Sequence, residues 1–287
     1  MCRYLQLRIR MKVVDSHIHL WSRARGDYDW LTSDLSEIFR DFGPEDYAPT
    51  MHGCDTFAAV LVQAAPTVAE TEYLLELAQN VPWIAGVVGW VNFELDAVPT
   101  LQRLADDPLF KGVRPMLQDI TLTDWVLSRD FTPVFETLES LSLSFDALVQ
   151  PRHLGVIARL MERHSSLRLV IDHCAKPNIS AGQFDDWALS IGRLADCPNI
   201  SVKFSGLTTE ARKGESDASV YAPYLEHLFS TFGEDRVMWG SDWPVVNLST
   251  SAQQWFKVSE ELTRDLSAGH RQKFWSSNAQ VFYGLNR

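Results

Sequence analysis

The chain has 287 residues, of which 46% are hydrophobic and 22% are charged, so it can form one large α/β domain or two smaller ones. Its formal net charge is −11 and it has no cluster of basic residues, which argues against nucleic acids and membrane surfaces as partners. No apolar run approaches the roughly 20 residues that a membrane span needs. The four cysteines lack the spacing of a metal finger or a redox pair, so reduced thiols and a cytoplasmic location are expected.

Residues 1–11 carry Arg3, Arg8 and Arg10 among apolar residues, but they lack the continuous hydrophobic stretch and the cleavage site of a signal peptide. We expect this segment to be either a short leader that need not be ordered or an artefact of an upstream start, and the sequence leaves open whether it belongs to the folded protein. A single folded domain is expected to span residues 12–287.

Eight apolar segments are predicted as β-strands, and most of them are followed by a helical pattern. The predicted strands cover residues 12–18, 56–63, 84–91, 110–114, 145–149, 167–172, 200–204 and 236–239. The predicted helices cover residues 68–80, 98–105, 132–141, 153–164, 184–195, 221–232, 252–262 and 268–283. An aromatic, acidic loop over residues 21–47 separates the first strand from the second.

This alternation, without a linker rich in Pro, Gly or Ser, predicts a single-domain α/β protein built as a parallel (β/α)8 TIM barrel. An open, doubly wound sheet is the alternative, because it uses the same order of elements. That fold usually carries a glycine-rich phosphate loop after its first strand. Here the first strand ends in histidines, which favours the barrel.

The first predicted strand ends in the sequence V-D-S-H-I-H, in which His17 and His19 are two residues apart. Successive side chains of a strand alternate between its faces, so the two imidazoles are expected on the same side. Such a pair can bind one divalent cation or one substrate molecule. A lone buried histidine, in contrast, is usually a hydrogen-bonded core residue. The pair favours a functional site if later strands bring complementary groups to it.

Polar side chains also follow most of the other predicted strands. In a parallel barrel the carboxyl ends of all strands open on one face, where catalytic groups lie. The residues at these ends are His17, His19, Gln63, Trp90, Asn92, Arg114, Gln150, Asp172, His173, Lys203, Ser205, Ser241, Asp242 and Trp243. This ring of polar groups on apolar strands predicts an active site at that face.

Asp242 is the candidate general base. It follows the apolar stretch M-W-G-S, where a carboxylate is costly to bury unless a cation or a reacting water uses it. The alternative is an aspartate that caps the next turn. His173, which follows L-V-I-D, either serves the same site or is a loop histidine bonded to the backbone.

Arg114, at the end of the fourth strand, can polarise a carbonyl or hold a carboxylate in a bidentate fork. Lys111, at the start of that strand, is a weaker candidate whose default role is surface ion pairing. Indole rings at the mouth can stack on a substrate, although packing is their alternative role. The further candidates for substrate contact are Trp21, Trp30, Gln63, Asn92 and Trp243.

Several of these segments together resemble the amidohydrolase superfamily. They are V-D-S-H-I-H-L-W, K-G-V-R, L-V-I-D-H-C-A-K-P, V-K-F-S-G and V-M-W-G-S-D-W-P-V, at strands one, four, six, seven and eight. More narrowly, they are similar to its branch of sugar-lactone hydrolases, of the L-fuconolactonase, L-rhamnonolactonase and pyrone-dicarboxylate lactonase type. The closing S-N-A-Q-V-F-Y-G-L also matches, so the resemblance covers nearly the whole chain.

The resemblance implies a distorted (β/α)8 barrel that hydrolyses a sugar-acid or related lactone. By position, His17 and His19 match the strand-one pair, His173 the strand-six histidine and Asp242 the strand-eight base, and these four would hold one divalent metal ion such as zinc. Arg114 stands where binuclear members carry a bridging lysine or a carboxylate, and strand five lacks the histidine of mononuclear members. The metal is therefore expected to be weakly bound or dispensable.

We hypothesise that water attacks a lactone carbonyl while Asp242 takes its proton. Arg114, His17 and His19 would stabilise the oxyanion, and His173 would orient water or assist the leaving ring oxygen. One alternative is a metal-dependent decarboxylase of an aromatic or unsaturated carboxylic acid, which would need tightly bound zinc. Another is a non-catalytic sugar-acid binding barrel. The sequence leaves open which lactone is the substrate and whether the chain forms a homo-oligomer.

Overall fold

The computed structural model describes residues 12–51 and 56–285, so the predicted leader lies outside the described residues. Eight parallel strands form one sheet in sequence order. They are β1 (Lys12–Ile18), β2 (Thr56–Val62), β3 (Ile84–Gly89), β4 (Phe110–Val113), β5 (Ser144–Ala147), β6 (Arg168–Ile171), β7 (Ile200–Phe204) and β8 (Val237–Trp239).

Hydrogen bonds beyond the ends of β1 and β8 join the first and last strands. The His19 N–H donates to the Trp243 carbonyl at 2.7 Å, and the Asp242 N–H donates to the His17 carbonyl at 2.9 Å. Parallel pairing of all neighbours together with this junction gives a barrel, as the sequence predicts. The junction also places the histidine pair of β1 directly beside Asp242.

Helices connect the strands and surround the barrel. They are α1 (Pro44–Tyr47), α2 (Val68–Asn80), α3 (Ala97–Leu104), α4 (Trp125–Ser128), α5 (Thr132–Ser140), α6 (Leu154–Arg163), α7 (Asp185–Gly192), α8 (Leu207–Glu210), α9 (Ala218–Phe232), α10 (Ala252–Leu262), α11 (Ala268–Gln272) and α12 (Asn278–Tyr283). A π-helical segment, Lys273–Ser277, joins α11 to α12. In the described part of the chain, no helix combines the length and the apolar character that crossing a membrane requires.

Local capping explains where several helices begin. The Thr67 side chain accepts a hydrogen bond from the Glu70 N–H at the start of α2, and the Ser251 side chain accepts one from the Gln254 N–H at the start of α10. Each cap satisfies a backbone donor that the helix itself leaves unpaired. Both helices therefore begin where the sequence predicts them.

A separate cluster of buried side chains fills the barrel interior. Its members come from five strands, β1, β2, β3, β6 and β8, and from α12. The space that these five strands share is the interior of the barrel. They are Val14, Ala58, Val60, Val62, Ala85, Val88, Val170, Met238, Ala279, Phe282 and Tyr283. The α12 helix thus closes the end of the barrel opposite the predicted active site.

Candidate active site

Three imidazoles and one carboxylate meet at the carboxyl ends of β1, β6 and β8. Asp242 Oδ1 lies 3.5 Å from His19 Nε2 and 3.9 Å from the Nε2 atoms of both His17 and His173. The Nε2 atoms of His17 and His19 are 3.1 Å apart. The His17 side chain has no exposed surface, whereas those of His19, His173 and Asp242 are 4–5% exposed. The four groups therefore form the floor of the barrel mouth.

His173 opens a left-handed turn over residues 173–176, where four consecutive non-glycine residues have φ between 52° and 59°. This conformation costs about 1–2 kcal/mol per residue, so the surrounding contacts must maintain it. The Trp187 Nε1–H donates to the Cys174 carbonyl at 2.7 Å, and His173 Nδ1 lies 2.9 Å from Ser205 Oγ. The turn directs the His173 Nε2 atom toward Asp242.

Gly206 leaves the space that the His173 ring occupies. Its φ is +66°, and a Cβ there would lie 2.5 Å from His173 Nδ1. We expect Gly206→Ala to displace the imidazole and to lower the free energy of unfolding by more than the roughly 1–2 kcal/mol of the left-handed backbone alone.

Gly214 provides the matched control for this prediction. Its φ is +80°, but no heavy atom lies within 4 Å of a Cβ placed there. Gly214→Ala should therefore show the backbone effect alone. Urea unfolding of the two variants measures the difference, and equal losses of stability would contradict the proposed steric role.

Asp15 anchors the segment that carries Asp242. Its Oδ1 accepts the Ser241 N–H at 2.9 Å and the His17 N–H at 3.1 Å, and its Oδ2 accepts the Tyr47 hydroxyl at 2.8 Å. Burial raises the pKa of Asp15 to about 6, against these hydrogen bonds. This carboxyl thus ties β1 to the residues after β8, a role that was not predicted from the sequence.

The imidazoles are neutral at pH 7. Burial, with the positive charge of Lys203 adding to it, lowers the pKa of His17 well below the ordinary 6.5. Burial also lowers the pKa of His19, and it lowers the pKa of His173 well below the ordinary value. Burial acts to raise the pKa of Asp242, but His173 and His19 outweigh it and hold the pKa below the ordinary value. The site thus combines neutral nitrogen donors with an ionised carboxylate.

Arg114 and Gln63 hold each other beside the histidines. An Arg114 Nη2–H donates to the Gln63 carbonyl, and the Gln63 amide donates to the Arg114 carbonyl at 2.7 Å. Arg114 Nη1 lies 3.4 Å from His17 Nε2. Within the described residues, Arg114 Nε and Gln63 Oε1 are buried without a hydrogen-bond partner. The protein thus leaves these two polar atoms unsatisfied, and Gln63 also positions Arg114.

The donor set fits a small divalent ion. His19 Nδ1 is 2.8 Å from the Val62 carbonyl, so this nitrogen carries the proton and the Nε2 lone pair faces Asp242 Oδ1 at 3.5 Å. A ring nitrogen and a carboxylate oxygen so placed can both bind one cation. Bonds of about 2.0–2.2 Å at a tetrahedral zinc ion place neighbouring donors roughly 3.3–3.6 Å apart, close to the separations found here. His17, His173 and Asp242 offer ligand atoms that all lie within 4.8 Å of one another.

A buried charged network lies beneath His17. Lys203 Nζ is 2.6 Å from Asp146 Oδ2, 2.9 Å from Asp172 Oδ1 and 3.1 Å from His17 Nδ1. The Tyr283 hydroxyl donates to Asp146 Oδ2 at 2.6 Å, which connects α12 to the network. Burial acts to raise the pKa of Asp172, but Lys203 outweighs it and holds the pKa below its ordinary value. Asp146 lies within an apolar strand, a costly position that indicates a buried partner, but its role was not predicted from the sequence.

The tryptophans proposed for substrate contact lie in an aromatic layer next to the mouth. Trp21 is buried, and its ring centroid is 5.5 Å from that of Trp30. Trp243 is buried as well, with its ring 5.1 Å from Phe42. Trp30 is half-buried and donates its Nε1–H to the Ala64 carbonyl at 2.7 Å. Trp21 and Trp243 therefore pack within the layer, and Trp30 is the partly exposed member of the three.

Asn92 and Lys111 are not brought into contact with the cluster. Asn92 is half-buried after β3, where its Oδ1 accepts the Glu94 N–H at 3.0 Å. Lys111 lies near the start of β4, and its ammonium donates to the Gly284 carbonyl at 3.1 Å, just after α12. The fold thus places Lys111 at the end of the barrel opposite Asp242. Lys111 is left out of the proposed substrate site.

A (β/α)8 barrel with neutral imidazoles and an ionised carboxylate at its mouth defines a hydrolase-type barrel with a site suited to a divalent metal. The family model described as amidohydrolase matches residues 14–285, and the chain belongs to this family. The resemblance read from the sequence motifs is confirmed.

The chain is similar along nearly its whole length to two lactonases and to one protein of known structure. The chain is 38% identical over 279 residues to an L-fucono-1,5-lactonase from Burkholderia ambifaria, covering 96% of each protein. It is 34% identical over 285 residues to an L-fucono-1,5-lactonase from Burkholderia multivorans, covering 95% of this chain and 96% of that one. A crystal structure of an amidohydrolase from Burkholderia multivorans with bound zinc has a TM-score of 0.89 at 32% identity, covering 96% of this chain and all of that one.

Proposed function

We propose that this protein hydrolyses a sugar-acid lactone. The observation that carries the proposal is the convergence of Asp242 Oδ1 with the Nε2 atoms of His17, His19 and His173 at 3.5–3.9 Å in the barrel mouth. The lactonase activity named for two relatives at 38% and 34% identity supports it and directs attention to L-fucono-1,5-lactone. An ionised carboxylate among neutral imidazoles suits the activation of water.

The reaction begins with water placed between Asp242 and the lactone carbonyl. Asp242 takes one proton as the water oxygen bonds to the carbonyl carbon, and a tetrahedral oxyanion forms. Collapse of the oxyanion breaks the bond to the ring oxygen, which takes the proton held by Asp242 as the ring opens to the hydroxy acid, and the carboxylate is regenerated. The low pKa of Asp242 keeps the carboxylate ready to accept the proton at neutral pH.

Arg114 supplies fixed positive charge for the developing oxyanion. Its Nη1 lies 3.4 Å from His17 Nε2, and its buried Nε–H has no partner among the described residues. A preorganised donor of this kind typically contributes about 100-fold or more to the rate. His173, neutral because of its low pKa, can orient the water or donate an N–H toward the leaving oxygen.

His17, His19, His173 and Asp242 are the residues that would hold a divalent ion. When bound, such an ion polarises the carbonyl oxygen as a Lewis acid. The amidohydrolase family and the zinc-containing relative support this assignment. Arg114 already brings a cation beside the same groups, so we propose that the metal is weakly bound or dispensable.

The pH profile of the proposed reaction follows from the lowered pKa values. His19 and His173 must be neutral and Asp242 ionised, so activity is lost as the pH falls through pKa values that lie below 6.5 for the histidines and below 3.8 for the aspartate. We therefore expect kcat/KM to stay level as the pH falls through 6.5 and to decline only in more acidic solution. A decline centred at 6.5 or above would contradict the assigned protonation states.

A pH-indicator screen of aldonolactones, with and without chelator, tests the function. We expect ring opening of L-fucono-1,5-lactone or a related sugar lactone, with at least part of the rate left after metal removal. Activity on aromatic carboxylic acids that disappears with chelator would favour the decarboxylase alternative. Saturable binding of sugar acids without turnover of any lactone would favour the non-catalytic barrel.

We further propose that the protein acts in the cytoplasm. Of the cysteines in the described part of the chain, Cys174 and Cys197 are unpaired thiols, which suits a reducing compartment. Assembly into a homo-oligomer stays a prediction that light scattering coupled to size-exclusion chromatography can test.

A further inference from the structure

The environment of His17 Nδ1 is unusual because an ammonium group and a carboxylate, which carry opposite charges, both face it. Lys203 Nζ lies 3.1 Å away and Asp172 Oδ1 lies 3.4 Å away. An ammonium group has three N–H donors and no acceptor. Lys203 donates to Asp146 Oδ2 at 2.6 Å, and its Nζ is ion-paired with Asp172 Oδ1 at 2.9 Å. A further N–H of the ammonium group faces His17 Nδ1.

The two neutral tautomers of His17 use different contacts. With the proton on Nε2, the ring accepts from Lys203 at 3.1 Å and donates to His19 Nε2 at 3.1 Å. With the proton on Nδ1, the ring accepts from Arg114 Nη1 at 3.4 Å, and its Nδ1–H lies 3.4 Å from Asp172 Oδ1 without forming a hydrogen bond. This second tautomer sets the Nδ1–H against an ammonium N–H of Lys203 at 3.1 Å, whereas the first sets the Nε2–H against Arg114 only at the longer distance of 3.4 Å.

The contacts of His19 also favour the tautomer of His17 with the proton on Nε2. Its Nδ1–H donates to the Val62 carbonyl at 2.8 Å, so its Nε2 is an acceptor. The 3.1 Å contact between the Nε2 atoms of His17 and His19 then requires the proton on His17. A continuous chain of donors thus runs from Lys203 through both imidazoles to the Val62 carbonyl.

We propose that Lys203 is a positioning residue that holds His17 in the Nε2–H tautomer and thereby weakens divalent-metal binding at the mouth. An imidazole nitrogen that carries a proton cannot ligate a metal, so the proton must move to Nδ1 before His17 Nε2 can bind. Asp172 Oδ1, 3.4 Å from His17 Nδ1, is the nearby carboxylate oxygen that could accept that Nδ1–H, but it is ion-paired with Lys203 at 2.9 Å. The inference rests on the metal site assigned under the proposed function, and it does not depend on which lactone is hydrolysed.

The first test reads the tautomer of the metal-free wild-type protein directly. Nitrogen-15 NMR of histidine-labelled protein separates protonated from unprotonated ring nitrogens, and the His17 signals are identified by their loss in His17→Asn. We expect a protonated Nε2 and an unprotonated Nδ1. A protonated Nδ1 would overturn the proposal without the need for any other variant.

The second test measures zinc affinity by competition with a chromophoric chelator, without substrate. The double variant Lys203→Met with Asp146→Asn removes one positive and one negative charge, so the net charge of the network is unchanged and Asp172 is free to accept from His17. We expect its His17 to carry the proton on Nδ1. Zinc should bind to the double variant at least about 10-fold more tightly than to the wild type. Replacing the hydrogen-bond partner of a metal-binding histidine typically changes metal affinity by about this factor or more.

Tyr283→Phe is the matched control. It removes the phenol that donates to Asp146 at 2.6 Å, at the far end of the same network, and leaves the contact between Lys203 and His17 in place. We expect wild-type zinc affinity and the wild-type tautomer. Unchanged or weaker zinc binding by the folded double variant would overturn the proposal. If methionine prevents folding, Lys203→Leu in the Asp146→Asn background is measured by the same criterion.

Discussion

Asp242→Asn is expected to lower kcat/KM for lactone opening by at least about 100-fold, the lower range for loss of a general base. Asparagine has nearly the same shape as aspartate, but its amide cannot take a proton from water. The effect should fall on kcat, because the carboxylate acts on the water and not on the ground-state lactone. Steady-state kinetics with the substrate found in the screen measures it.

Asp235→Asn serves as the control for this loss. Asp235 is 72% exposed and pairs with Lys273 on the surface, so its replacement should leave kcat/KM unchanged. Thermal unfolding of both variants separates a catalytic defect from a folding defect. If folded Asp242→Asn retains wild-type activity, Asp242 is not the base, while a lactone opened by the wild type would still support the proposed function.

Lys203→Met alone is expected to lower the free energy of unfolding by about 3–5 kcal/mol, the usual effect of removing one partner from a buried ion pair. The side chains of Lys203, Asp146 and Asp172 have no exposed surface. Without the ammonium group, two carboxylates would share a dry space, and at least one must become protonated. The adjacent His17 would also lose its donor, so activity should fall together with stability.

Lys213→Met is the matched comparison for the stability effect. Lys213 pairs with Glu37, but the two side chains are 69% and 37% exposed. An exposed pair of this kind contributes about 0–1 kcal/mol. Urea unfolding of both variants gives the difference, and similar losses would show that burial does not set the strength of the Lys203 network. The charge-conserving double variant should recover part of the loss.

Repeating local patterns made most of the fold predictable. The bounds predicted for β1, β7, α2 and α10 agree with the structure, since alternating apolar residues and capping side chains are local signals. The strand predicted over residues 145–149 instead forms Ser144–Ala147. Its apolar residues continue further, but its pairing with β6 stops at Ala147. The extent of a strand depends on its neighbours, which the sequence of that strand does not contain.

The candidate site was partly predictable for the same reason. The H-x-H spacing, and the position of His173 and Asp242 after predicted strands, indicated one shared site once a barrel was assumed. Their separations of 3.5–3.9 Å depend on the junction between β1 and β8 and on the left-handed turn at residues 173–176. The burial of Trp243 within an aromatic layer depends on how the loop over residues 21–47 packs, which composition does not indicate.

By itself, the sequence determined a single parallel barrel and the residue types at its mouth, because periodicity and strand-end chemistry are properties of short segments. The tertiary structure alone decided the partners of the buried charges. Lys203, Asp146 and Tyr283 come from β7, β5 and α12, and their contacts at 2.6 Å arise only when the barrel closes over them. A charged residue in an apolar strand indicates that a buried partner is needed, but the identity of that partner depends on strands far away in the chain.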